Sequence, residues 1–179
     1  MSGGPDDATV RIRAEALRLF ARQGFGSTTI DDIAEASDVG VATIYRRWDD
    51  KSALANDVFA SILDAMEASF AIELPATPKR AFFALWDALW QFATDDPDRF
   101  VFLEALIPEP WISDANRTRK MAFGDQTMEL LEAGGVRADP AVAGAIIMGT
   151  LSALMRSGET IDAGELGERL WQALRLPTA

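Results

Sequence analysis

The 179-residue sequence contains no cysteine and no histidine. Without cysteine there is no disulfide, thiol nucleophile or cysteine-ligated zinc, and without histidine the commonest general base and transition-metal ligand are missing. Most hydrolase and metalloenzyme chemistries are thereby excluded, and no cofactor is expected. Long apolar runs are absent too. The longest, Ala141 to Met148, includes a glycine and falls far short of the roughly 20 residues that span a bilayer. The opening residues, MSGGPDDATV, hold no basic stretch followed by an apolar one, so they do not read as a secretory signal. The expected location is the cytoplasm, with no membrane partner. Positive charge is scarce: Lys and Arg number 17 against 28 Asp and Glu, a net of −11. Residues 1–51 carry seven basic against nine acidic side chains, a net of −2, and the remainder carries −9. Any affinity for nucleic acid must come from a local cationic cluster, because the long-range field repels phosphate.

What the chain does have is helical periodicity. Hydrophobic residues make up 49% and charged residues 25%, with a mean hydropathy of +0.03, the composition of a soluble globular protein. Over residues 9–23, Val10, Ala14, Leu17, Phe20 and Ala21 fall at the spacing of a buried helical stripe, and Gly24 and Gly26 end it. Thr28 or Thr29 can cap a second helix, whose first turn carries Asp31 and Asp32 at the positive end of the dipole. Ile30, Ile33, Ala34 and Val39 form its buried side. Asp38 to Gly40 reads as a turn, with Gly40 the N-cap of a third helix running to about Trp48. Two short helices joined by such a turn make a helix-turn-helix. A longer helix is predicted from Lys51 to Ile72, with Leu54, Val58, Ile62, Met66 and Phe70 on one face, and the stretch ELPATPK at 73–79 interrupts it. Further helices are predicted at about 79–94, 97–107, 113–133, 139–157 and 163–175, separated by Asp-Asp-Pro, Pro-Glu-Pro, Gly-Gly and Ser-Gly breaks. No strand pattern competes.

The block FGSTTIDDIAEASDVGVATIYRRWDDKSAL, Phe25 to Leu54, with Leu17, Phe20, Ala21 and Gly24 ahead of it, resembles the DNA-binding signature of the tetracycline-repressor family. A glycine-aromatic break, paired threonines, an I-A-x-A helix, a V-x-x-x-T-I-Y helix, an aromatic and a lysine all stand in register. The resemblance implies that Gly40, Val41, Ala42 and Thr43 lie against base edges, where short side chains let the helix approach. It also implies that Thr28, Thr29, Tyr45 and Lys51 touch phosphates, which fixes register without reading sequence. Arg46 and Arg47 supply the local positive charge that the domain total lacks. The sequence departs from the family at Asp38, where glycine is more usual, and at Val41, where a polar residue is. Aspartate tolerates left-handed backbone better than most residues, so the turn is expected to survive.

The rest of the chain is rich in large apolar side chains. Phe82, Trp86, Leu89 and Ala93 share one helical face while Phe83 and Trp90 lie off it, so this helix buries two faces. Met66, Phe83, Trp86, Trp90, Phe102, Trp111, Phe123 and Met148 are the candidate lining of a pocket for a small, largely apolar or aromatic effector, with Asp87, Gln91, Glu104 or Gln126 as orienting polar groups. Small residues recur at Ala141, Ala145, Gly149 and Ala153, and Leu166, Leu170, Trp171 and Leu174 give the last helix an apolar face. In the family these two helices pair with their symmetry mates. The resemblance therefore implies a homodimer through Ala145, Gly149, Ala153, Leu170, Trp171 and Leu174, with recognition helices about 34 to 36 Å apart or somewhat more on a palindromic site.

The expected protein is all-α with about nine helices: a three-helix DNA-binding domain over residues 1–51, then a helical ligand-sensing and dimerisation domain over 52–179. Its expected function is ligand-responsive transcriptional regulation, most simply repression at double-stranded operator DNA, without enzymatic activity. The competing reading is a helical carrier or enzyme for apolar molecules that retains the N-terminal motif. No carboxylate pair stands in an apolar stripe to support it, and a carrier has no use for Tyr45, Arg46, Arg47 and Lys51.

Overall fold

The computed structural model describes residues 7–105, 111–133 and 136–175. Among them the chain is all-helical: α1 (Asp7–Gln23), α2 (Ile30–Ala36), α3 (Val41–Tyr45), α4 (Lys51–Ser69), α5 (Pro78–Asp95), α6 (Pro97–Ala105), α7 (Asp114–Ala133), α8 (Pro140–Ser157) and α9 (Ala163–Leu174). The predicted breaks at residues 108–110 and 134–135 lie outside the described residues. Two helices are shorter than their periodicity suggests. α3 stops at Tyr45 rather than Trp48, with Arg46 as its C-cap, and α4 stops at Ser69 rather than Ile72.

Side-chain caps fix where the helices start. The Thr29 hydroxyl accepts from the Asp32 N–H while the Asp32 carboxylate accepts from the Thr29 N–H, a reciprocal box at the start of α2. Asp50 accepts from the Ala53 N–H at 2.7 Å to begin α4, Asp139 caps α8 and Asp162 caps α9. Pro78 and Pro140 occupy first-turn positions, where a missing N–H costs nothing.

One continuous core runs through the chain. α1 packs against α2, α4 and α6, and α5 packs against α6, α7, α8 and α9. The buried side of α1 is Ile12, Ala16, Leu19 and Phe20, with Leu17 and Ala21 half-buried. Val10, expected in the buried stripe, is 49% exposed, and Ala14 is not part of the buried core either. The buried side differs from the expected stripe because α1 meets partners on more than one side, and the first-turn Val10 faces none of them.

Polar and aromatic contacts join the first three helices to the rest. Arg13 on α1 donates two bonds, at 2.8 and 2.7 Å, to the Asp57 carboxylate on α4. The Trp48 indole N–H donates to that same carboxylate at 2.8 Å. Phe20 on α1, Phe25, Trp111 and Phe102 on α6 form a closed aromatic quartet, with centroids 4.3 to 6.2 Å apart. Arg22 on α1 pairs with Asp98 on α6 at 3.2 Å.

Candidate functional site

The α2–α3 unit is held rigidly from behind. Ile33 and Ile44 are fully buried and Trp48 nearly so, so both short helices are anchored in the core. Between them the chain turns through Asp38, which sits at a left-handed φ of 53°. A β-branched residue could not take that conformation cheaply, and aspartate can. The turn expected at Asp38 therefore forms without glycine. Gly40 precedes α3 as its N-cap.

From this scaffold Gly40, Ala42, Tyr45 and Arg46 project into solvent, with Val41, Thr43 and Arg47 half-buried beside them. Tyr45 is 52% exposed, unusual for an aromatic ring and explained if the surface is a contact face. The Arg46 guanidinium donates to the Thr43 hydroxyl at 3.2 Å. Arg47 turns back instead, donating to the Thr9 hydroxyl at 2.8 Å and the Thr43 carbonyl at 3.1 Å. Small side chains at the start of α3 and a projecting tyrosine and arginine at its end make a shape that enters a groove.

Two expected phosphate contacts take other roles. Thr28 is fully buried, and its hydroxyl donates to the Gly24 carbonyl at 2.9 Å, closing the loop after α1. The Lys51 ammonium donates to the carbonyls of Phe25 and Thr28, each at 2.7 Å, and lies 4.3 Å from the Phe25 ring centre. Two of its three donors are thus turned inward, and Lys51 pins the α1–α2 loop to α4. Thr29 remains exposed at the α2 N-terminus.

The eight candidate pocket residues are dispersed. Phe102 and Trp111 belong to the aromatic quartet beside α1. Phe83 lies toward α9, where a Cβ built on Gly167 would come within 3.0 Å of its ring, and Trp90 leans on Trp86 at 5.6 Å. Met66 is buried in α4. Trp86 and Met148 border a purely apolar void of about 40 Å³ with Phe82, Leu85 and Met128, enough for about one water and far too small for an effector. Phe123 borders a separate cleft of about 190 Å³ with Phe70 and Gln126. The largest described space, about 400 Å³, is lined by Phe59, Ile112, Arg117, Lys120, Met121, Gly124 and Asp125. None of the eight borders it. Its signal was present at Arg117, Lys120, Met121 and Gly124, whose three- and four-residue spacing puts them on one face of α7. Aromatic content does not mark that face, because it is polar.

Along α8 the small-residue stripe is open: Ala145, Gly149 and Ala153 are exposed, flanked by Val142 at 47% and Ile146 at 42% exposure. α9 does not extend this surface as expected. Leu170, Trp171 and Leu174 are buried inside the same chain, where Trp171 meets Phe82 at 5.2 Å and the Leu174 carbonyl accepts from the N–H groups of Arg137 and Ala138. Their apolar face is used by α5, so these three residues leave the candidate interface.

Comparison with known proteins agrees with the α2–α3 geometry. Residues 12–58 match the model of the bacterial regulatory proteins of the tetR family. Over 50 residues, 28% of this chain, it is 42% identical to YdeS of Bacillus subtilis, described as an uncharacterized HTH-type transcriptional regulator. Over 66 residues, 35% of the chain, it is 35% identical to the HTH-type transcriptional regulator AcrR of Shigella flexneri. The chain spans about a quarter and a third of these relatives, 25% and 31% of their lengths. The crystal structure of the TetR family transcriptional regulator PfmR from Thermus thermophilus has the same fold over 100% of this chain and 99% of its own, with a TM-score of 0.72 and 22% identity.

Proposed function

Through residues 12–58 this chain belongs to the tetR family of bacterial regulatory proteins, and on that premise we propose that it is a ligand-responsive repressor that binds operator DNA as a homodimer. One observation carries the reading: the exposed strip Gly40, Ala42, Tyr45 and Arg46, mounted on two core-anchored helices. In this reading residues 1–51 bind DNA, and residues 52–179 sense the effector and dimerise. Thr29, Tyr45 and Arg46 contact phosphate or base, while Thr28, Arg47 and Lys51 hold the frame. Val41, Ala42 and Thr43 face base edges, the first two offering apolar contact to thymine methyls. Its proposed site of action is the cytoplasm; no described helix is long and apolar enough to cross a membrane.

The proposed mechanism is a population shift. Effector binds better to a conformer whose two DNA-binding parts are wrongly spaced, and by linkage DNA weakens effector binding by the same factor. α4 runs from the Lys51 clamp to Phe59 on the cavity wall, so it is the proposed transmitter.

The test is selection of bound duplexes from a randomised pool, followed by titration of the recovered sequence. A two-fold-symmetric site is expected. Arg46→Ala should weaken binding at least about tenfold and reduce the salt slope by about one. Unchanged affinity and slope would sink the assignment.

A further inference from the structure

The cavity of about 400 Å³ beside α4 and α7 is within the range of small-molecule sites, and its walls differ in kind. Phe59 from α4 and Ile112 ahead of α7 are buried apolar surface. Met121, which is 64% exposed, adds a flexible apolar flank at the mouth. Opposite chemistry comes from α7: Arg117, Lys120 and Asp125. The Arg117 guanidinium is engaged, donating to the Ile112 carbonyl at 3.3 Å.

Lys120 is the unusual group. Its ammonium donates to the Leu103 carbonyl at 2.7 Å, and among the described residues no carboxylate lies within ion-pair distance of it. Burial pushes its pKa down, and only the nearby Glu104 carboxyl opposes that. Glu104 is itself pushed up by burial, against the opposing charges of Lys120 and Arg156. A cation kept largely from water without an ion pair is costly, and an incoming anion relieves that cost. The chain as a whole repels anions, yet this cavity presents two cations against Asp125.

We propose that this cavity binds an anionic amphiphile, with its apolar or aromatic body against Phe59, Ile112 and Met121 and its acidic head on the Lys120 ammonium. This deepens the ligand-responsive reading, on which its regulatory consequence rests, by naming the chemical class of effector. Neutral apolar molecules of the same shape leave the Lys120 charge unpaired and bind more weakly.

The test uses two fluorescent probes on the full chain without DNA. One is anilinonaphthalene sulfonate; the other is phenylnaphthylamine, the same rings without the acid. The sulfonate should saturate one site per chain and bind at least about tenfold tighter, the discrimination expected of a charge-assisted hydrogen bond. Lys120→Gln should remove the preference and Lys120→Arg should keep it. Asp125→Asn, at an exposed side chain where folding is not at risk, should strengthen sulfonate binding a few-fold. Equal affinity for the two probes, a preference that survives Lys120→Gln, weaker sulfonate binding by Asp125→Asn, or no saturable site each overturn the proposal. A chain that selects operator DNA but shows no acid preference overturns this inference alone; one that prefers the acid but selects no DNA overturns the regulator reading alone.

Discussion

The side-chain amide of Asn56 on α4 donates to the main-chain oxygen of Trp111 at 2.8 Å. The same side chain accepts from the Ser113 N–H at 2.8 Å and from the Asn116 amide at 3.0 Å, so one residue of α4 holds the entry to α7 on three bonds. The Trp111 ring stacks on Phe25 at 4.3 Å, and Phe25 lies beneath the Lys51 ammonium. A displacement of α7, which walls the cavity, must slide Trp111 over Phe25 or break the Asn56 bonds. The cavity and the α1–α2 loop that leads into the α2–α3 unit therefore meet at one joint.

Asn56→Leu removes that joint while keeping volume. It leaves the half-buried Trp111 carbonyl without its partner, a cost of about 2 kcal/mol, while the exposed Ser113 N–H can turn to water. For a chain of this length that lowers the melting temperature by roughly 4 to 8 °C. The variant should also bind operator DNA with a reduced response to effector. A melting point within about 1 °C of the parent in calorimetry rules out the joint as described.

The cap of α2 carries a pH signature. The Asp32 carboxyl is held below its ordinary value of 3.8, first by the Thr29 hydroxyl and then by the Thr29 N–H. The folded state thus binds fewer protons than the unfolded one. The stability it adds is fully present above 3.8 and is lost as pH falls through the lowered folded value. Asp32→Ala should melt earlier than the parent at neutral pH, and the gap should close as the pH drops below about 4. Melting curves across that range check it; a gap independent of pH contradicts the capping account.

Helix number and most boundaries, though not the ends of α3 and α4, were legible in the sequence because caps and breakers act locally: Asp50, Pro78, Asp139 and Gly158 each act within a turn of their own position. The turn at Asp38 was legible for the same reason. Facing was not. Val10 and Ile12 are equally apolar, and only the placement of α2, α4 and α6 around α1 decides which is buried. Leu170, Trp171 and Leu174 show a clean apolar stripe that suits a partner chain as well as it suits α5. The pocket was hidden by the same ambiguity, since large aromatics fill a core as readily as they line a cavity. Lys120 lacked any mark in one dimension, because its unpaired charge is a property of what surrounds it.

Two glycines separate close packing from tolerance. A Cβ on Gly167 in α9 would meet the Trp86 indole nitrogen at 2.7 Å and its neighbouring carbon at 2.8 Å. The indole is rigid and its N–H donates to the Ala163 carbonyl at 2.8 Å, so it cannot yield without losing that bond. Gly167→Ala should destabilise by about 1 to 3 kcal/mol as overpacking does, despite its gain in helix propensity. A Cβ on Gly144 would meet only the terminal methyl and sulfur of Met128, at 3.0 and 3.4 Å. That flexible side chain can move, and Gly144→Ala should be neutral or stabilising by up to about 1 kcal/mol. Denaturant titration of both variants decides it, and a tolerated Gly167→Ala would show that Trp86 is not fixed.

The open stripe on α8 yields the prediction with most at stake for DNA binding. A Cβ added at Gly149 would meet no neighbouring atom, and Ile146 is 42% exposed, so neither position is constrained inside a single chain. Ile146→Glu should therefore leave the helical content of the protein intact. Across a two-fold interface the same substitution appears twice, putting two carboxylates into an apolar contact, where like charges and desolvation both oppose association. Sedimentation at micromolar concentration should show a dimer for the parent and a monomer for the variant. Affinity for a symmetric operator should fall steeply, because each half-site is then held by one recognition helix alone. With Leu170, Trp171 and Leu174 buried inside the chain, α9 offers the pairing none of the three apolar side chains expected of it. A variant that stays dimeric would place the interface elsewhere and detach the α8 stripe from operator binding.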